Sequence, residues 1–215
     1  MVNSKARLIA KTASVIDEVP STATELIAYV ARVSNPEGQA NSENSRGLLD
    51  FLQRNDHWSP FEMYNLVIEV ETPRDIARQI LRHRSCSFQE FSQRYADPTQ
   101  ALSFCLREAR LQDPKNRQSS IPTDDTKLIK GWIAQQKRVK DVALSAYTWA
   151  RERSIAKECA RVVLPEGLTM SNMYINGNLR SWIHYVALRE SNGTQLEHQE
   201  IAILIGEILQ EVLSE

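Results

Sequence analysis

Residues 82–95 carry the densest run of reactive side chains in the sequence. The run reads Arg-His-Arg-Ser-Cys-Ser-Phe-Gln-Glu-Phe-Ser-Gln-Arg-Tyr, so three arginines, one histidine and three serines accompany a single carboxylate, Glu90. Arginine donates two parallel hydrogen bonds to phosphate or carboxylate, and serine hydroxyls complete the shell of an oxyanion. A solvated basic helix end is the alternative, but the spacing of Phe88, Phe91 and Tyr95 indicates a packed segment. The run therefore predicts a local anion site, with phosphate as the first candidate.

Two side chains in this run could act as nucleophiles. Nearby arginines would lower the pKa of the Cys86 thiol and supply thiolate, but a packed small side chain is the favoured interpretation. Ser92 has no neighbour that could serve as its general base, so we expect it to bind a ligand rather than attack one. The run thus favours binding over covalent catalysis.

Other candidate residues lie outside this run. His57 precedes Trp58 in a predicted loop, where it could reach a cavity or simply pack against that indole. Arg161 and Arg189 lie on predicted helices beside apolar residues, where a guanidinium group requires an anion or an acid. For Arg161, an internal ion pair with one of the 27 acidic residues is the alternative.

A strand and a helix would position the run. Alternating apolar residues predict a half-buried strand over residues 64–70. Pro73 then opens a helix, because its missing amide proton costs nothing in the first turn. Gln79, Arg82 and His83 lie on one face of this helix. Its predicted buried stripe is Ile76, Ala77, Ile80 and Leu81.

Apolar periodicity and capping residues predict the other elements. Thr22 with Glu25, and Thr194 with Glu197, have the spacing of capping boxes. Further strands are predicted over 8–16, 102–106 and 168–176, with Gly177 as a turn. Further helices are predicted over 22–31, 45–54 and 125–151, before Pro165, from Asn178 to Asn192-Gly193, and from 194 onwards. The long helix is expected to bury Leu128, Trp132, Val139, Ala143, Ala146 and Ala150, and the last helix Ile201, Leu204, Ile208 and Val212.

The order of these elements predicts the fold class. A few strands among long helices, without regular alternation, predict an α+β fold. We expect a single domain over residues 1–215, with a small, largely antiparallel sheet packed by long helices. The chain has seven glycines but no Gly-x-Gly-x-x-Gly, so it has no Rossmann motif.

Composition excludes several classes of protein. A formal net charge of −1 argues against gripping nucleic acid through bulk charge. Three cysteines without paired spacing indicate neither a disulfide framework nor a metal site, and favour a reducing cytoplasm. No apolar run approaches the roughly 18 residues needed to span a membrane, and no apolar signal core opens the chain. We expect a soluble, cytoplasmic protein that binds neither membrane nor nucleic acid.

The motif running from Arg82-His83-Arg84 through seven further residues to Ser92 resembles the signature of the flavin-dependent thymidylate synthases. Other matches to this family follow in chain order from about residue 30 to 200. They are Ala31-Arg32-Val33-Ser34, His57-Trp58-Ser59-Pro60-Phe61-Glu62, Ala160-Arg161-Val162-Val163-Leu164-Pro165, Asn178-Leu179-Arg180-Ser181 and Arg189. The segment Asn192-Gly193-Thr194-Gln195 is similar to viral members.

The resemblance implies an activity and an assembly. Members convert dUMP to dTMP, taking a methylene group from 5,10-methylenetetrahydrofolate and a hydride from FAD that NADPH has reduced. The family also implies a homotetramer in which the motif of one chain completes the pocket of another. For a viral member, the expected location is the host cytoplasm.

The resemblance also implies residue roles. Arg189 and His57 would be catalytic. The fixed charge of Arg189 favours a uracil deprotonated at N3, and His57 would lie near the folate and the flavin. The implied dUMP contacts are Gln79, Arg82, Glu90, Phe91, Ser92, Gln93, Arg94, Arg161 and Arg189. The implied FAD contacts are Ser34, Ser59, Glu62, Arg82, His83, Arg84, Ser85, Glu90, Asn178, Arg180 and His184. The chain departs from many members at Gln93 (glycine), His184 (asparagine) and Asn192-Gly193 (often a histidine-bearing segment).

Two other functions fit the same residues. One is a single-stranded nucleic-acid-binding module that stacks bases on Phe88, Phe91 and Tyr95 of the 82–95 segment. The other is a phosphate-binding enzyme without flavin, such as a nucleotide hydrolase. Salt-dependent binding to single strands, or a colourless protein that cleaves dUMP, would distinguish them.

Overall fold

An antiparallel sheet lies at the centre of the computed structural model, which describes residues 4–191 and 193–215. The strands are β1 (Lys5–Lys11), β2 (Asn65–Pro73), β3 (Ser87–Glu90), β4 (Arg110–Gln112), β5 (Ser120–Pro122) and β6 (Met170–Asn178). Four of them form the central sheet in the order β1-β2-β6-β3, with every neighbouring pair antiparallel, while β4 and β5 form a separate hairpin. The expectation of an α+β fold with a small antiparallel sheet, and without a Rossmann arrangement, is confirmed.

Helices flank this sheet. They are α1 (Ala23–Ala31), α2 (Ser45–Arg54), α3 (Arg74–Ile80), α4 (Pro98–Ala101), α5 (Thr126–Glu152), α6 (Lys157–Ala160), α7 (Leu179–Arg189) and α8 (Leu196–Ser214). Short 3-10 turns occupy Pro36–Gly38, Ser59–Met63 and Arg161–Val163. The predicted N-caps Thr22 and Asn178 accept hydrogen bonds from the backbone amides of Glu25 and Ser181. These caps set where α1 and α7 begin.

The main hydrophobic core lies on one face of the sheet. Leu66, Ile68 and Val70 of β2 are fully buried there, as predicted, and pack with apolar residues of α1, α2, α3, α7 and α8. Each such side chain contributes about 1.5–3 kcal/mol through burial. The other face is polar, with Glu69 accepting hydrogen bonds from Arg7 and Asn172. The apolar face therefore anchors the helices that carry the candidate site residues.

Two predicted element ends and one predicted strand are wrong. The first strand ends at Lys11 rather than residue 16, because Lys11 pairs with Leu66 near the start of β2 and no strand partner continues beyond it. The predicted strand over 102–106 is one isolated bridge, between Phe104 and Thr169. Helix α7 ends at Arg189, before Gly193, and Asn192 lies outside the described residues.

Gly177 continues strand β6 instead of forming the predicted turn. Asn178 caps α7 directly after the strand, so no turn is needed. A Cβ atom at position 177 would lie 2.9 Å from the Cys86 Sγ and 3.2 Å from the Trp182 Nε1. The missing side chain thus permits close packing of both groups. Cys86 is packed here, as expected, and burial raises the pKa of its thiol.

The predicted capping box of Thr194 and Glu197 is also wrong. Gln195 is the N-cap of α8, and the Glu197 carboxylate instead binds Arg110 at 2.7 Å. An ion pair with a distant arginine has replaced the local bond that the spacing suggested.

The predicted buried stripe of α5 is wrong at three of its six positions. Ala143 and Ala150 are buried and Ala146 is half-buried, whereas the side chains of Leu128, Trp132 and Val139 are 43%, 45% and 51% exposed. The described chain covers α5 mainly near its C-terminal half, where α6 and the following 3-10 turn lie. The periodicity identified the helix correctly but not what covers it.

Candidate active site

The end of α3 brings the start of the arginine-rich run against α7. Tight turns follow the helix, with hydrogen bonds from the Arg82 amide to the Gln79 carbonyl and from the His83 amide to the Ile80 carbonyl. The Nε of Arg189, the last residue of α7, donates to the Nε2 of His83 at 2.9 Å. Sequence reasoning selected both residues, and the structure joins them.

His83 is neutral in this arrangement. Burial, then Arg189 and His184, lower the pKa of His83 to about 4. Because arginine can only donate, the His83 Nε2 must be the accepting nitrogen, and its proton is on Nδ1. The Nη groups of Arg189 make no hydrogen bond to any described residue. This guanidinium group is thus oriented by a neutral imidazole and keeps charge available for an anion.

Gln79 is part of a second, largely buried hydrogen-bonded chain. Its Oε1 lies 3.2 Å from the Nδ1 of His198, whose Nε2 lies 3.1 Å from the Tyr185 hydroxyl. In the other direction, the Gln79 Nε2 donates to the Oε1 of Gln195 at 2.8 Å. The Gln195 Nε2 donates to Glu197 at 2.9 Å. The chain links α3, α7 and α8 behind the arginine-rich run.

A cavity of about 720 Å³ lies between the loop before β2 and the start of α7. Five of the residues implied for FAD line it, namely Glu62, Ser85, Asn178, Arg180 and His184. Arg180 pairs with Glu62, and Trp58 and Ile183 supply apolar wall. The wall of this cavity therefore combines hydroxyl, amide and guanidinium hydrogen-bond donors with the aromatic ring of Trp58.

Glu90 is held within the chain by basic side chains. Its Oε1 accepts from the Ser171 hydroxyl at 2.8 Å and lies 3.3 Å from the Arg74 Nη1. Its Oε2 lies 3.5 Å from the Arg78 Nη1. Arg74 is buried, so this pairing neutralises its charge. Both carboxylate oxygens of Glu90 already have partners that fix the segment after β3.

The segment after β3 is joined to α6. Arg94 pairs with Glu158 at 3.3 Å, and Lys157 donates to the Tyr95 carbonyl at 2.8 Å. These contacts bring Arg94 beside the 3-10 turn that begins with Arg161. No ion pair among the described residues involves Arg161, so the alternative of an internal salt bridge is not observed. Arg82, Arg84 and Arg189 likewise pair with no described carboxylate.

The remaining implied residues have simpler surroundings. Ser34, Ser59 and Arg84 are exposed, Phe91 and Ser92 are half-buried, and Gln93 is buried. His57 is exposed and lies edge-on to Phe51, with ring centroids 6.3 Å apart, rather than packed on Trp58. Phe88 packs against the main core whereas Tyr95 is 81% exposed, so the aromatic side chains do not form the continuous stacking platform of the nucleic-acid alternative.

Comparison with known proteins decides the family. The model of the family described as "Thymidylate synthase complementing protein" matches residues 14–214. The chain is 47% identical over 203 residues to a probable flavin-dependent thymidylate synthase of Paramecium bursaria Chlorella virus 1, covering 94% of this chain and 92% of that protein. The chain belongs to the flavin-dependent thymidylate synthase family. Its activity is the conversion of dUMP to dTMP, with FAD as cofactor and 5,10-methylenetetrahydrofolate and NADPH as co-substrates.

Two further relatives agree. The flavin-dependent thymidylate synthase of Synechocystis is 44% identical over 200 residues, covering 93% of this chain and 90% of that protein. Among solved structures, a UMP/dUMP methylase from Streptomyces cacaoi bound with 5-Br dUMP is similar, with a TM-score of 0.78 and 27% identity. That similarity covers 99% of this chain and 92% of the methylase. The resemblance read from the motifs is therefore confirmed.

The cavity fits the flavin cofactor of this family. FAD combines a planar ring system with a pyrophosphate, and so requires both apolar surface and anion donors. Trp58 and Ile183 provide the first, and Arg180 and the hydroxyl of Ser85 provide the second. The amides at the start of α7 add a favourable helix dipole for a phosphate.

Sequence reasoning missed His198 and Gln195. His198 lies three residues before Ile201, so the buried stripe of α8 begins with a polar side chain, and that was the available signal. The stripe continues through Ile205 and Leu209 rather than the predicted Leu204 and Ile208, which are half-buried. Gln195 gave no signal, because its partner Gln79 is 116 residues away in the sequence.

The structure also bears on two excluded classes. Among the described residues, no helix combines the length and the apolar character needed to cross a membrane. No group of three or more His, Cys, Asp or Glu side chains within that part of the chain is arranged to hold a metal ion.

Proposed function

We propose that in this thymidylate synthase the dUMP site is built around Arg189 and the FAD site around the cavity at the start of α7. The observation that carries this proposal is the hydrogen bond that joins the arginine-rich run to α7, in which Arg189 donates to the neutral His83. Arg82, Arg84, Arg161 and Arg189 make no ion pair among the described residues. Such charges favour anionic ligands.

The residue assignments follow from the matched motifs. The proposed dUMP contacts are Gln79, Arg82, Glu90, Phe91, Ser92, Gln93, Arg94, Arg161 and Arg189. The proposed FAD contacts are Ser34, Ser59, Glu62, Arg82, His83, Arg84, Ser85, Glu90, Asn178, Arg180 and His184. His57, exposed beside the cavity-lining residues Asp56 and Trp58, is proposed to approach the folate and the flavin.

Arg189 is the proposed catalytic residue. Its guanidinium group would lie along the pyrimidine edge, where positive charge stabilises a uracil that has lost its N3 proton. His83 accepts from the Arg189 Nε, so it orients the fork without competing for the negative charge. Arg94 and Arg161 would hold the nucleotide phosphate. FAD, when bound, supplies the hydride that completes the methyl group.

We also propose that the active enzyme is a homotetramer with shared sites, working in the cytoplasm. An apolar groove beside α5 supports self-association, because its lining includes Val142, Trp149 and Val162, which are 64%, 54% and 84% exposed. A large exposed apolar surface is typical of an interface. The three free thiols and the odd cysteine count are consistent with a reducing compartment.

Separate loss of nucleotide and flavin functions tests the assignments. We expect Arg189→Ala to keep its FAD but to lose dTMP formation about 100- to 1,000-fold, as for removal of one preorganised charge-stabilising donor. Arg180→Ala should instead lose FAD. The matched control is Arg138→Ala, an exposed arginine on α5, which should change neither property. Equal loss of flavin and activity in Arg189→Ala would mean that Arg189 holds the flavin or the fold.

A further inference from the structure

The hydrogen-bonded chain through Gln79 has a fixed direction because one end is a carboxylate. Glu197 is buried and pairs with Arg110 at 2.7 Å. Burial alone would raise the pKa of Glu197, but its hydrogen bonds and Arg110 lower it below the usual value. An ionised carboxylate can only accept hydrogen bonds. Gln195, which lies 2.9 Å from it, must therefore present its amide nitrogen.

That constraint passes along the chain. With its nitrogen on Glu197, Gln195 presents its oxygen to Gln79, whose nitrogen donates at 2.8 Å. The oxygen of Gln79 then faces His198, so the ring proton of His198 is on Nδ1. The His198 Nε2 is left as the acceptor for the Tyr185 hydroxyl at 3.1 Å. Each group has one consistent role, and turning over either amide would place two donors or two acceptors face to face.

The direction decides what Gln79 offers a ligand. A side-chain amide nitrogen carries two protons, and Gln195 takes one of them. The second N–H remains for a ligand, whereas the oxygen of Gln79 is already bonded to His198. The pyrimidine of dUMP carries carbonyl oxygens, which accept such a bond.

We propose that Glu197, acting through Gln195, and His198 are positioning residues that hold the Gln79 amide as a hydrogen-bond donor to a carbonyl oxygen of dUMP. The inference rests on the proposed contact between Gln79 and dUMP. Without the carboxylate, Gln195 and Gln79 can both turn over, and the Gln79 oxygen then repels the nucleotide carbonyl. The hydrogen-bonded chain thus determines the affinity for the nucleotide, although Glu197, Gln195 and His198 do not contact the nucleotide.

The direct test compares two charge-neutralising variants in the FAD-loaded, full-length enzyme. Glu197→Gln removes the fixed acceptor, and the matched control Glu108→Gln removes the other carboxylate bonded to Arg110 while leaving the amide chain intact. We expect Glu197→Gln to raise the KM for dUMP about ten-fold, since a lost ligand bond costs of that order, while kcat at saturating dUMP stays within about two-fold. Glu108→Gln should match the wild type. Equal KM values in the two variants would overturn the proposal.

A second pair tests the other end of the chain. His198→Asn keeps an N–H on an atom bonded to Cγ, whereas His198→Leu removes the donor. We expect His198→Asn to retain dUMP affinity within about three-fold and His198→Leu to lose about ten-fold. Equal affinities would contradict a positioning role for His198. If His198→Leu does not fold, the Glu197→Gln and Glu108→Gln comparison decides alone.

Gln79→Ala distinguishes a failure of the positioning role from a failure of the proposed contact between Gln79 and dUMP. If Gln79→Ala binds dUMP like the wild type, the proposed contact is wrong and the inference falls with it. If Gln79→Ala weakens binding while Glu197→Gln does not, the contact stands and the positioning chain is wrong. Weakening in both variants, with FAD content unchanged, is the expected result.

Discussion

Arg189 is held by a neutral side chain rather than by a carboxylate. Among the described residues, nine of the 18 arginines form ion pairs with carboxylates, whereas the Nε of Arg189 donates to the neutral His83. A carboxylate there would neutralise the guanidinium charge, but an imidazole fixes its direction and leaves the charge unpaired, as the proposed contact with dUMP requires. The neutral His83 thus holds Arg189 in one orientation without removing its charge.

The neutral state of His198 predicts a stability that depends on pH. Burial, then Arg189 and His83, lower the pKa of His198 to about 3 from 6.5. The unfolded chain therefore binds the proton first, so this contribution is complete above pH 6.5 and is lost as the pH falls from 6.5 towards 3. Between pH 7.5 and 5.5, the free energy of unfolding should fall by about 1 kcal/mol more in wild type than in His198→Asn.

Urea unfolding at the two pH values measures this difference. His57→Asn is the control, because His57 is exposed and its ring lies against Phe51 rather than against a buried histidine. Between the two pH values, the free energy of unfolding of this control should fall by the same amount as that of the wild type. If the free energy of unfolding falls equally in the wild type and in His198→Asn, the pKa of His198 is not lowered by folding.

At the level of elements, the junction of β6 and α7 positions the cavity. Asn178 is both the last residue of the strand and the cap of the helix, so the helix starts without a loop. Gly177 allows the Trp182 indole to lie close to the strand, where its Nε1 donates to the Leu66 carbonyl at 3.3 Å. This compact junction sets the position of Arg180 at the cavity.

Gly177→Ala should destabilise the protein by about 1–3 kcal/mol, because the new methyl group overlaps the Cys86 sulfur and the Trp182 ring. Adding Cys86→Ala should restore part of that loss, which thermal or urea unfolding of the four-variant cycle measures. Gly131→Ala is the matched control. It lies in α5 with nothing within 4 Å of the added Cβ, so it should be neutral or stabilise by up to about 1 kcal/mol. Equal effects of the two glycine variants would contradict the packing account.

Helix α5 shows what sequence patterns can and cannot predict. Its periodicity predicted a helix over 125–151, and the helix runs from Thr126 to Glu152 with Asp125 as its N-cap. The same apolar spacing led to a wrong burial prediction at Trp132 and Val139. A stripe of apolar residues has the same spacing whether it packs against the chain's own core or against another surface. The pattern reports that a face is apolar, but not which surface covers it.

Val142→Glu tests whether a second copy of the chain covers this face. We expect a smaller assembly and loss of dTMP formation, since a buried unpaired carboxylate is strongly unfavourable at an apolar interface. Thr148→Glu, an exposed position of the same helix away from the apolar stripe, should keep the mass and the activity of the wild type. Light scattering after gel filtration gives the mass. Unchanged mass in Val142→Glu would exclude this face from the assembly.

At the scale of the whole molecule, the candidate dUMP residues form two groups. Gln79 and Arg189 belong to the hydrogen-bonded groups around α3, α7 and α8, whereas Arg94 and Arg161 lie beside α6. The two groups are connected through Glu90, which pairs with Arg74 and Arg78 of α3 and lies four residues before Arg94. The proposed homotetramer is therefore supported by the exposed apolar groove beside α5.

The sequence supplied a candidate site but not the contacts that hold its residues in place. The candidate arginines and cavity residues lie within short motifs shared with the family, so the resemblance named them without knowledge of the fold. The chain from Glu197 to Tyr185 depends on contacts between α3 and α8, which no local pattern records. The positioning residues behind the site therefore required the folded structure.

The most direct test of the account is an absorption titration of the purified, FAD-loaded enzyme with dUMP. The flavin bands of the wild type should shift and saturate as dUMP is added, because the proposed nucleotide and flavin contacts meet at the run that begins with Arg82. In Arg189→Ala, the same bands should remain but respond to dUMP only at higher concentrations. A protein that takes up no FAD, or whose flavin bands ignore saturating dUMP, would contradict a shared site built on these residues.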